Sequence, residues 1–188
     1  MIVLPWIIVL LSLIYLVLLF QQIHWCWLFG ILASALSYFV FQPKLFFESL
    51  LYLYYVGIGI YAWWMWQKKG IKKNSKIKKL SFQKHLVLLV LQFVLIGFLG
   101  YYFAMNKERL HPFVSERPFA DAFTTIFSIV ATFLEAQRFL YSWIYWIVIN
   151  FFSVWLYAQV QEPVLAGQMG LYGILSIWGF ARWKKLSQ

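Results

Sequence analysis

The chain has 188 residues, of which 63% are hydrophobic and only 12% are charged, and its mean hydropathy is +0.74. Soluble domains carry roughly 45–50% apolar and about 25% charged residues, so this chain has too few polar side chains to cover a surface that faces water. A lipid bilayer is therefore the expected solvent. Seven spanning helices of about 20 residues each would leave roughly 48 residues for ends and loops, which excludes an added soluble domain.

The net charge of +10 comes mainly from one segment, because eight lysines lie between residues 68 and 84. A basic segment between membrane spans is typical of a cytoplasmic loop that attracts anionic lipid, rather than of a nucleic-acid-binding arm. The single Cys26 cannot form an intramolecular disulfide, and no paired thiols indicate a zinc site. We therefore expect membrane lipid as a partner, and no nucleic acid, metal or cofactor.

Seven apolar runs follow one another along the chain. The first, over residues 2–20, has no positive residues before it and no cleavage site after it, which favours a retained helix over a signal peptide. Gln42-Pro43-Lys44 after the second run is typical of a tight outer turn. A long polar loop over residues 106–118 follows the fourth run. The other predicted spans cover residues 23–41, 45–66, 85–105, 119–139, 143–160 and 164–183.

The distribution of basic residues predicts the orientation. Twelve of the sixteen lie on the side of the lysine segment, which places the N-terminus outside and the C-terminus inside. The expected fold is an all-α integral membrane protein with seven transmembrane helices arranged as 3+1+3. Residues 1–67 form one three-helix repeat, 68–84 a basic cytoplasmic loop, 85–105 a linker helix and 119–183 a second repeat. The linker span makes the two repeats parallel, an arrangement known among transporters.

Polar side chains inside three of the predicted spans form stripes. Such groups are costly in lipid unless they face protein or water, so an aligned set indicates a pathway. At 100° per residue, the stripes of the fifth and sixth spans are each about 80° wide. Hydroxyls that only join helices are the alternative interpretation. The fifth span contributes Asp121, Thr125, Ser128, Thr132 and Glu135, the sixth Trp143, Trp146, Asn150, Ser153 and Tyr157, and the third Glu48, Tyr52, Tyr55, Gly59 and Trp63.

Together the stripes predict a cavity with aromatic walls and carboxylates. Each ring contributes about 0.5–2 kcal/mol of cation–π attraction to a bound cation, so a planar cationic solute fits such a cavity. An intramembrane enzyme is a weaker hypothesis, since neither His-Glu-x-x-His nor Gly-x-Ser-x-Gly occurs in the sequence. A membrane scaffold whose stripes only join helices is a third possibility.

Four stretches resemble a known family of bacterial membrane proteins. They are Glu48-Ser49-Leu50-Leu51-Tyr52, the run from Ile60 to Trp66, the run from Asp121-Ala122-Phe123 to Ala131, and Trp143-Ile144-Tyr145-Trp146-Ile147-Val148-Ile149-Asn150. This pattern resembles the PnuC family of vitamin transporters, over about residues 25 to 185. Members move nicotinamide riboside, and relatives move thiamine or riboflavin.

The resemblance implies a uniporter in the bacterial cytoplasmic membrane that works by facilitated diffusion, with trapping by a cytoplasmic vitamin kinase. A homotrimer is the candidate assembly. It implies that Trp143, Trp146 and Asn150 contact the ligand. Tyr52 and Gly59 stand where nicotinamide riboside members usually carry glutamine and asparagine, so nicotinamide riboside and thiamine both stay open as substrates. The complete predicted binding set is Glu48, Tyr52, Tyr55, Trp63, Asp121, Thr125, Ser128, Trp143, Trp146 and Asn150.

Overall fold

The computed structural model describes residues 3–41, 46–110, 117–159, 161 and 163–187 of the chain. In these residues the regular structure is helical, apart from one isolated bridge between Lys78 and Phe139. Four of the helices, α1, α4, α6 and α8, are long and apolar enough to cross a membrane. The helices are α1 Val3–Phe20, α2 Cys26–Phe41, α3 Phe46–Lys68, α4 Phe82–Met105, α5 Lys107–Leu110, α6 Pro118–Ala136, α7 Ser142–Gln159 and α8 Pro163–Leu186.

Each predicted span lies on one of the seven long helices, and the polar loop contains the four-residue α5. Four predicted boundaries are wrong by three residues. Two predicted spans are too long: α2 begins at Cys26 rather than at residue 23, and α6 ends at Ala136 rather than at residue 139. Two are too short: α4 begins at Phe82 rather than at residue 85, and α8 ends at Leu186 rather than at residue 183. The predicted outer turn at residues 42–44 lies outside the described residues.

The two predicted spans that are too long have the same cause, a Schellman motif that ends α1 at Gln22 and α6 at Arg138. In this motif a residue with positive φ follows the helix, and two backbone N–H groups bond back to the last turn. Gln22 has a φ of 57° and Arg138 one of 61°. The N–H of Gln22 donates to the Leu19 carbonyl (2.9 Å) and that of Ile23 to Leu18 (3.0 Å), while Arg138 and Phe139 donate in the same way to Glu135 and Leu134. The turns themselves are polar, at Gln21-Gln22 and Gln137-Arg138, but apolar residues such as Ile23 and Phe139 follow them outside any helix and extend the predicted spans.

The chain divides into two compact units, Met1–Ser75 with Val94–Thr125, and Lys76–Phe93 with Ile126–Gln188. In the first unit, α2 packs against both α1 and α3. Gly59 on α3 permits this close packing, since a Cβ atom there would lie 2.8 Å from Cγ1 of Ile31 on α2. Trp27 of α2 lies edge-on to Trp66 of α3, with their ring centroids 5.6 Å apart.

In the second unit, α7 packs against α8. The last part of the lysine segment crosses the turn between α6 and α7. Lys78 exchanges backbone hydrogen bonds with that turn, donating to Arg138 (3.0 Å) and accepting from Leu140 (2.9 Å), and the Arg138 guanidinium donates to the Lys76 carbonyl. Ile77 is buried beside them. Burial lowers the pKa of Arg138, because the charged guanidinium loses hydration.

Candidate binding site

One face of α7 carries the most specific part of the predicted site. Trp143, Trp146 and Asn150 lie three and four residues apart, which places them on the same side of the helix. Asn150 is 6% exposed, and its Nδ2 donates to the hydroxyl of Ser176 on α8 at 3.3 Å. Its Oδ1 accepts no hydrogen bond from any described residue. An amide held from one side, with its carbonyl oxygen unused, is suited to receive a hydrogen bond from a polar ligand.

Ser176 fixes the direction of this amide. Its hydroxyl donates to the backbone carbonyl of Tyr172, one turn earlier on α8, at 2.8 Å. The hydroxyl hydrogen is therefore committed to the backbone, and the oxygen lone pair is left for the Asn150 amide. Sequence analysis missed Ser176, although a serine at mid-depth in an apolar helix is a signal that could have found it.

Trp143 and Trp146 lie in different environments. Trp143 is fully buried, and its ring meets Trp183 of α8 edge-on, with the centroids 5.3 Å apart. Its six-membered ring also lies over Gly179, where an added Cβ would come within 2.6 Å. Trp146, by contrast, is only half-buried. Trp143 therefore packs α7 against α8, and Trp146 is the more accessible ring.

The first unit contains a second tryptophan pair with the same geometry. Trp27 follows its left-handed turn residue by five positions, as Trp143 does. The interplanar angles are 87° for Trp27 with Trp66 and 90° for Trp143 with Trp183. Because Trp27 lies outside the predicted site, this correspondence indicates a packing role for Trp143. Its predicted ligand contact stays a prediction.

The polar stripe of α6 crosses from the first unit into the second. In the first unit, Asp121 and Thr125 are half-buried, and the Asp121 carbonyl accepts the Thr124 hydroxyl at 3.1 Å. In the second unit, Ser128 is buried and its carbonyl accepts the hydroxyl of Thr132 at 2.7 Å. Glu135 is 1% exposed. The hydroxyls that bond their own backbone fit the helix-joining alternative, whereas the buried carboxyl group does not.

On α3, Tyr52 and Tyr55 are half-buried and meet edge-on, with ring centroids 6.0 Å apart. The side chain of Glu48 lies outside the described part of the chain. Trp63 lies near the other end of the helix and contacts Trp25 of the α1–α2 turn, with centroids 6.3 Å apart. The structure thus brings Tyr52 and Tyr55 together, while Trp63 contributes to a different cluster. Whether all three stripes share one chamber stays a prediction.

Buried polar groups outside the stripes also went unpredicted. Gln92 of α4 is 1% exposed, and its Nε2 donates to the Tyr145 hydroxyl at 3.1 Å. Among the described residues, no group of three or more histidine, cysteine, aspartate or glutamate side chains could hold a metal ion.

Comparisons with known proteins find one matching family and several similar proteins. A family model described as "Nicotinamide mononucleotide transporter" matches residues 2–185. The chain is 28% identical to the nicotinamide riboside transporter PnuC of Neisseria mucosa over 85% of its own length and 64% of that protein's. It is 25% identical to the Escherichia coli protein of the same name, over 82% of this chain and 74% of that one.

A solved structure is similar over nearly the whole chain. It is titled "Crystal structure of the Vitamin B3 transporter PnuC", and it aligns with a TM-score of 0.77 at 25% sequence identity. The alignment covers 98% of this chain and 81% of the other. The similarity therefore extends to the arrangement of the helices as well as to the sequence.

Proposed function

The chain belongs to the nicotinamide mononucleotide transporter family, and on that premise we propose that it carries nicotinamide riboside across a membrane. The family is one of transporters rather than enzymes. Its bacterial relatives and the several apolar helices make this chain a multi-pass protein of the bacterial inner membrane. The observation that carries the proposal is the buried Asn150, which lies on the same face of α7 as Trp146. Its Nδ2 is bonded to Ser176, and its Oδ1, to which no described residue donates, is free to accept a hydrogen bond from the ligand.

The proposed topology has seven spans arranged as 3+1+3, with the N-terminus outside and the C-terminus inside. The Schellman turns at Gln22 and Arg138 support it, since they share the same positive φ and the same pair of backbone hydrogen bonds. The two edge-on tryptophan pairs support it as well. Matched turns and matched ring pairs are what two parallel three-helix repeats would produce.

The chemistry of nicotinamide riboside fits these groups. Its pyridinium ring is flat and cationic, so it can stack on an indole with about 0.5–2 kcal/mol of cation–π attraction. The half-buried Trp146 is the ring available on α7 for this contact. The carboxamide N–H or a ribose hydroxyl can donate to Oδ1 of Asn150. The half-buried carboxyl group of Asp121 offers electrostatic attraction for the positive ring.

We assign four further predicted residues to the same ligand with lesser roles. Tyr52 and Tyr55 supply aromatic surface on α3, and Thr125 and Ser128 supply hydroxyls on α6. Transport is proposed to be facilitated diffusion, in which cytoplasmic phosphorylation traps the vitamin. Assembly as a homotrimer and a functional link to a cytoplasmic vitamin kinase belong to the same proposal.

Binding measurements on α7 variants test the site. Trp146→Ala removes a stacking ring, so we expect the Kd for nicotinamide riboside to rise about 5- to 30-fold. Asn150→Ala removes the hydrogen-bond acceptor, and a rise of about tenfold is expected. Isothermal titration calorimetry on purified protein gives both values.

Trp155→Ala is the matched control, because Trp155 lies on the same helix and is 53% exposed. It is expected to leave the Kd within about twofold, as surface changes usually do. If all three variants bind nicotinamide riboside like the parent protein, the assignment of this face to the ligand is wrong.

Thiamine is the competing substrate, and the same titration separates the two vitamins. Both are flat-ringed cations, so aromatic contacts alone do not distinguish them. We expect nicotinamide riboside to bind more tightly, since it carries a carboxamide and ribose hydroxyls for Asn150. If thiamine binds more tightly than nicotinamide riboside, thiamine is the substrate and the proposed assignment to nicotinamide riboside is wrong.

A further inference from the structure

An open cleft of about 660 Å³ lies in the first unit, beside the turn between α1 and α2 and the C-terminal end of α3. Its floor and walls include Gln22, Trp25, Trp63, Trp66, Lys72 and Lys73. Of these residues only Trp63 belongs to the binding set predicted from the sequence, and the vitamin contacts proposed above use none of them.

Local hydrogen bonds hold the cleft in shape. Gly70 has a φ of 58° and ends α3 with a Schellman motif like that at Gln22. From the first of these turns, Nε2 of Gln22 donates to the Ser75 carbonyl at 2.9 Å. Ser75 in turn bonds back to Lys72 through its hydroxyl, which donates to the Lys72 carbonyl and accepts the Lys72 N–H. The basic wall of the cleft is thus fixed against its aromatic wall.

Two polar atoms on the cleft lining have no partner among the described residues. Gln22 is fully buried, and its Oε1 accepts no hydrogen bond. The indole Nε1–H of Trp63 is also shielded and donates to no acceptor. A buried polar group of this kind normally has a partner, supplied by protein, water or ligand. A ligand that offers a hydroxyl donor and an oxygen acceptor would satisfy both atoms.

The charge on the cleft lining is positive. Lys72 and Lys73 line the cleft, and its lining residues include no aspartate or glutamate. Lysine ammonium groups attract phosphate oxygens. The ligand expected here is therefore an anion, unlike the cationic vitamin.

The cleft also has an aromatic wall, formed by Trp25 and Trp63. Trp25 is 49% exposed and lies beside Trp63, with an interplanar angle of 44°. Tryptophans at this level are typical of the membrane interface, where an apolar ring body meets polar headgroups. The cleft thus combines two cations, an indole donor, an amide acceptor and an apolar edge.

We propose that this cleft binds a phosphate ester that also carries hydroxyl groups. The phosphate oxygens accept from Lys72, Lys73 and the Trp63 indole, and a hydroxyl donates to Oε1 of Gln22. Two sources offer this chemistry: the headgroup of an anionic lipid such as phosphatidylglycerol, and a soluble ribonucleoside monophosphate.

The test compares two double variants of the full chain. Lys72→Ala with Lys73→Ala removes both cleft cations. Lys69→Ala with Lys84→Ala removes the same charge from exposed lysines that do not line the cleft. Nicotinamide riboside uptake is measured on both, and it is expected to match the parent protein because none of the four lysines belongs to the residues proposed to contact the vitamin. If the cleft does not bind a phosphate ester, the uptake measurement still stands, so failure of this proposal is distinguishable from failure of the proposed function.

Two arms distinguish the sources of the phosphate ester. In one, native mass spectrometry counts phosphatidylglycerol retained on protein from mixed phosphatidylglycerol and phosphatidylcholine bilayers. In the other, nicotinamide mononucleotide is titrated into protein in phosphatidylcholine nanodiscs. In at least one arm, we expect the cleft variant to bind about tenfold less tightly and the control to stay within about twofold.

Retention of the lipid alone assigns the cleft to the headgroup, and binding of the nucleotide alone assigns it to the soluble ester. Equal losses in the two double variants would mean that general positive charge attracts the phosphate, and the proposal would be overturned. Absence of binding in both arms would also overturn it. Gln22→Glu, which places an anion against the phosphate site, gives a second check and should weaken binding in the supporting arm.

Discussion

At the scale of single residues, the contact between Trp143 and Gly179 sets the spacing of α7 and α8. A Cβ at position 179 would lie 2.6 Å from the Trp143 ring, well inside van der Waals contact. Trp143 is fully buried, so its ring has little room to retreat. Forcing an extra methyl group into such packing usually costs about 1–3 kcal/mol.

We therefore predict that Gly179→Ala lowers the thermal unfolding midpoint of the purified protein. Gly167→Ala is the matched control, because Gly167 lies on the same helix and a Cβ there meets nothing within 4 Å. That control should hold or raise the midpoint, since alanine is the better helix former. Equal midpoints for the two variants would contradict the packing role assigned to Trp143.

The sequence predicts which way the side chains of the candidate site face, but not what each of them does. Spacing alone places Trp146 and Asn150 on one helical face, since helical periodicity fixes direction. Spacing does not tell a ring that packs helices from a ring that meets ligand. That distinction depends on Gly179 and Trp183, which lie about 40 residues later in the sequence. The same limit hid Ser176, the partner that orients the Asn150 amide.

At the scale of elements, hydropathy located the long helices but not their ends. A run of apolar residues shows where a helix can cross lipid. The Schellman turns at Gln22 and Arg138 use non-glycine residues, so glycine placement does not mark them, and the apolar residues that follow each turn resemble part of a span. Gly70, by contrast, is an ordinary glycine C-cap that follows α3.

Arg138 has a positive φ, so we expect glycine to be tolerated better than alanine at this position. Glycine adopts positive φ without steric cost, whereas alanine pays about 1–2 kcal/mol for it. Both Arg138→Gly and Arg138→Ala lose the guanidinium bond to the Lys76 carbonyl. The glycine variant should therefore be the more stable of the two by about 1 kcal/mol, measured as the free energy of unfolding in denaturant.

Arg182 supplies the control for this comparison, because it lies within α8 in helical conformation. There the order should reverse, with alanine more stable than glycine by about 1 kcal/mol. If alanine is at least as stable as glycine at position 138, the left-handed turn is not the cause of the early end of α6.

At the scale of the whole molecule, the distribution of charge predicts which ends face the cytoplasm. Lys184 and Lys185 lie in the last turn of α8, and the lysine segment lies between α3 and α4. The positive-inside rule places both on the cytoplasmic side. Lys107 lies in α5, in the polar loop predicted to face outward.

Cysteine accessibility in intact bacteria measures this orientation. Cys26 is the single cysteine of the sequence, so a Cys26→Ser background leaves no other thiol in the protein to compete for the label. A membrane-impermeant maleimide should label Lys107→Cys from outside and should label Lys184→Cys only after the cells are opened. The reverse pattern would invert the proposed topology.

The central claim is tested most directly by uptake of labelled nicotinamide riboside into proteoliposomes that contain only this protein. With no ion gradient and no nucleotide, the account predicts saturable uptake that stops when the inner and outer concentrations are equal. Asn150→Ala protein should need a higher substrate concentration for half-maximal uptake. Absence of saturable flux from correctly folded protein, or flux that requires an ion gradient, would contradict facilitated diffusion of this vitamin.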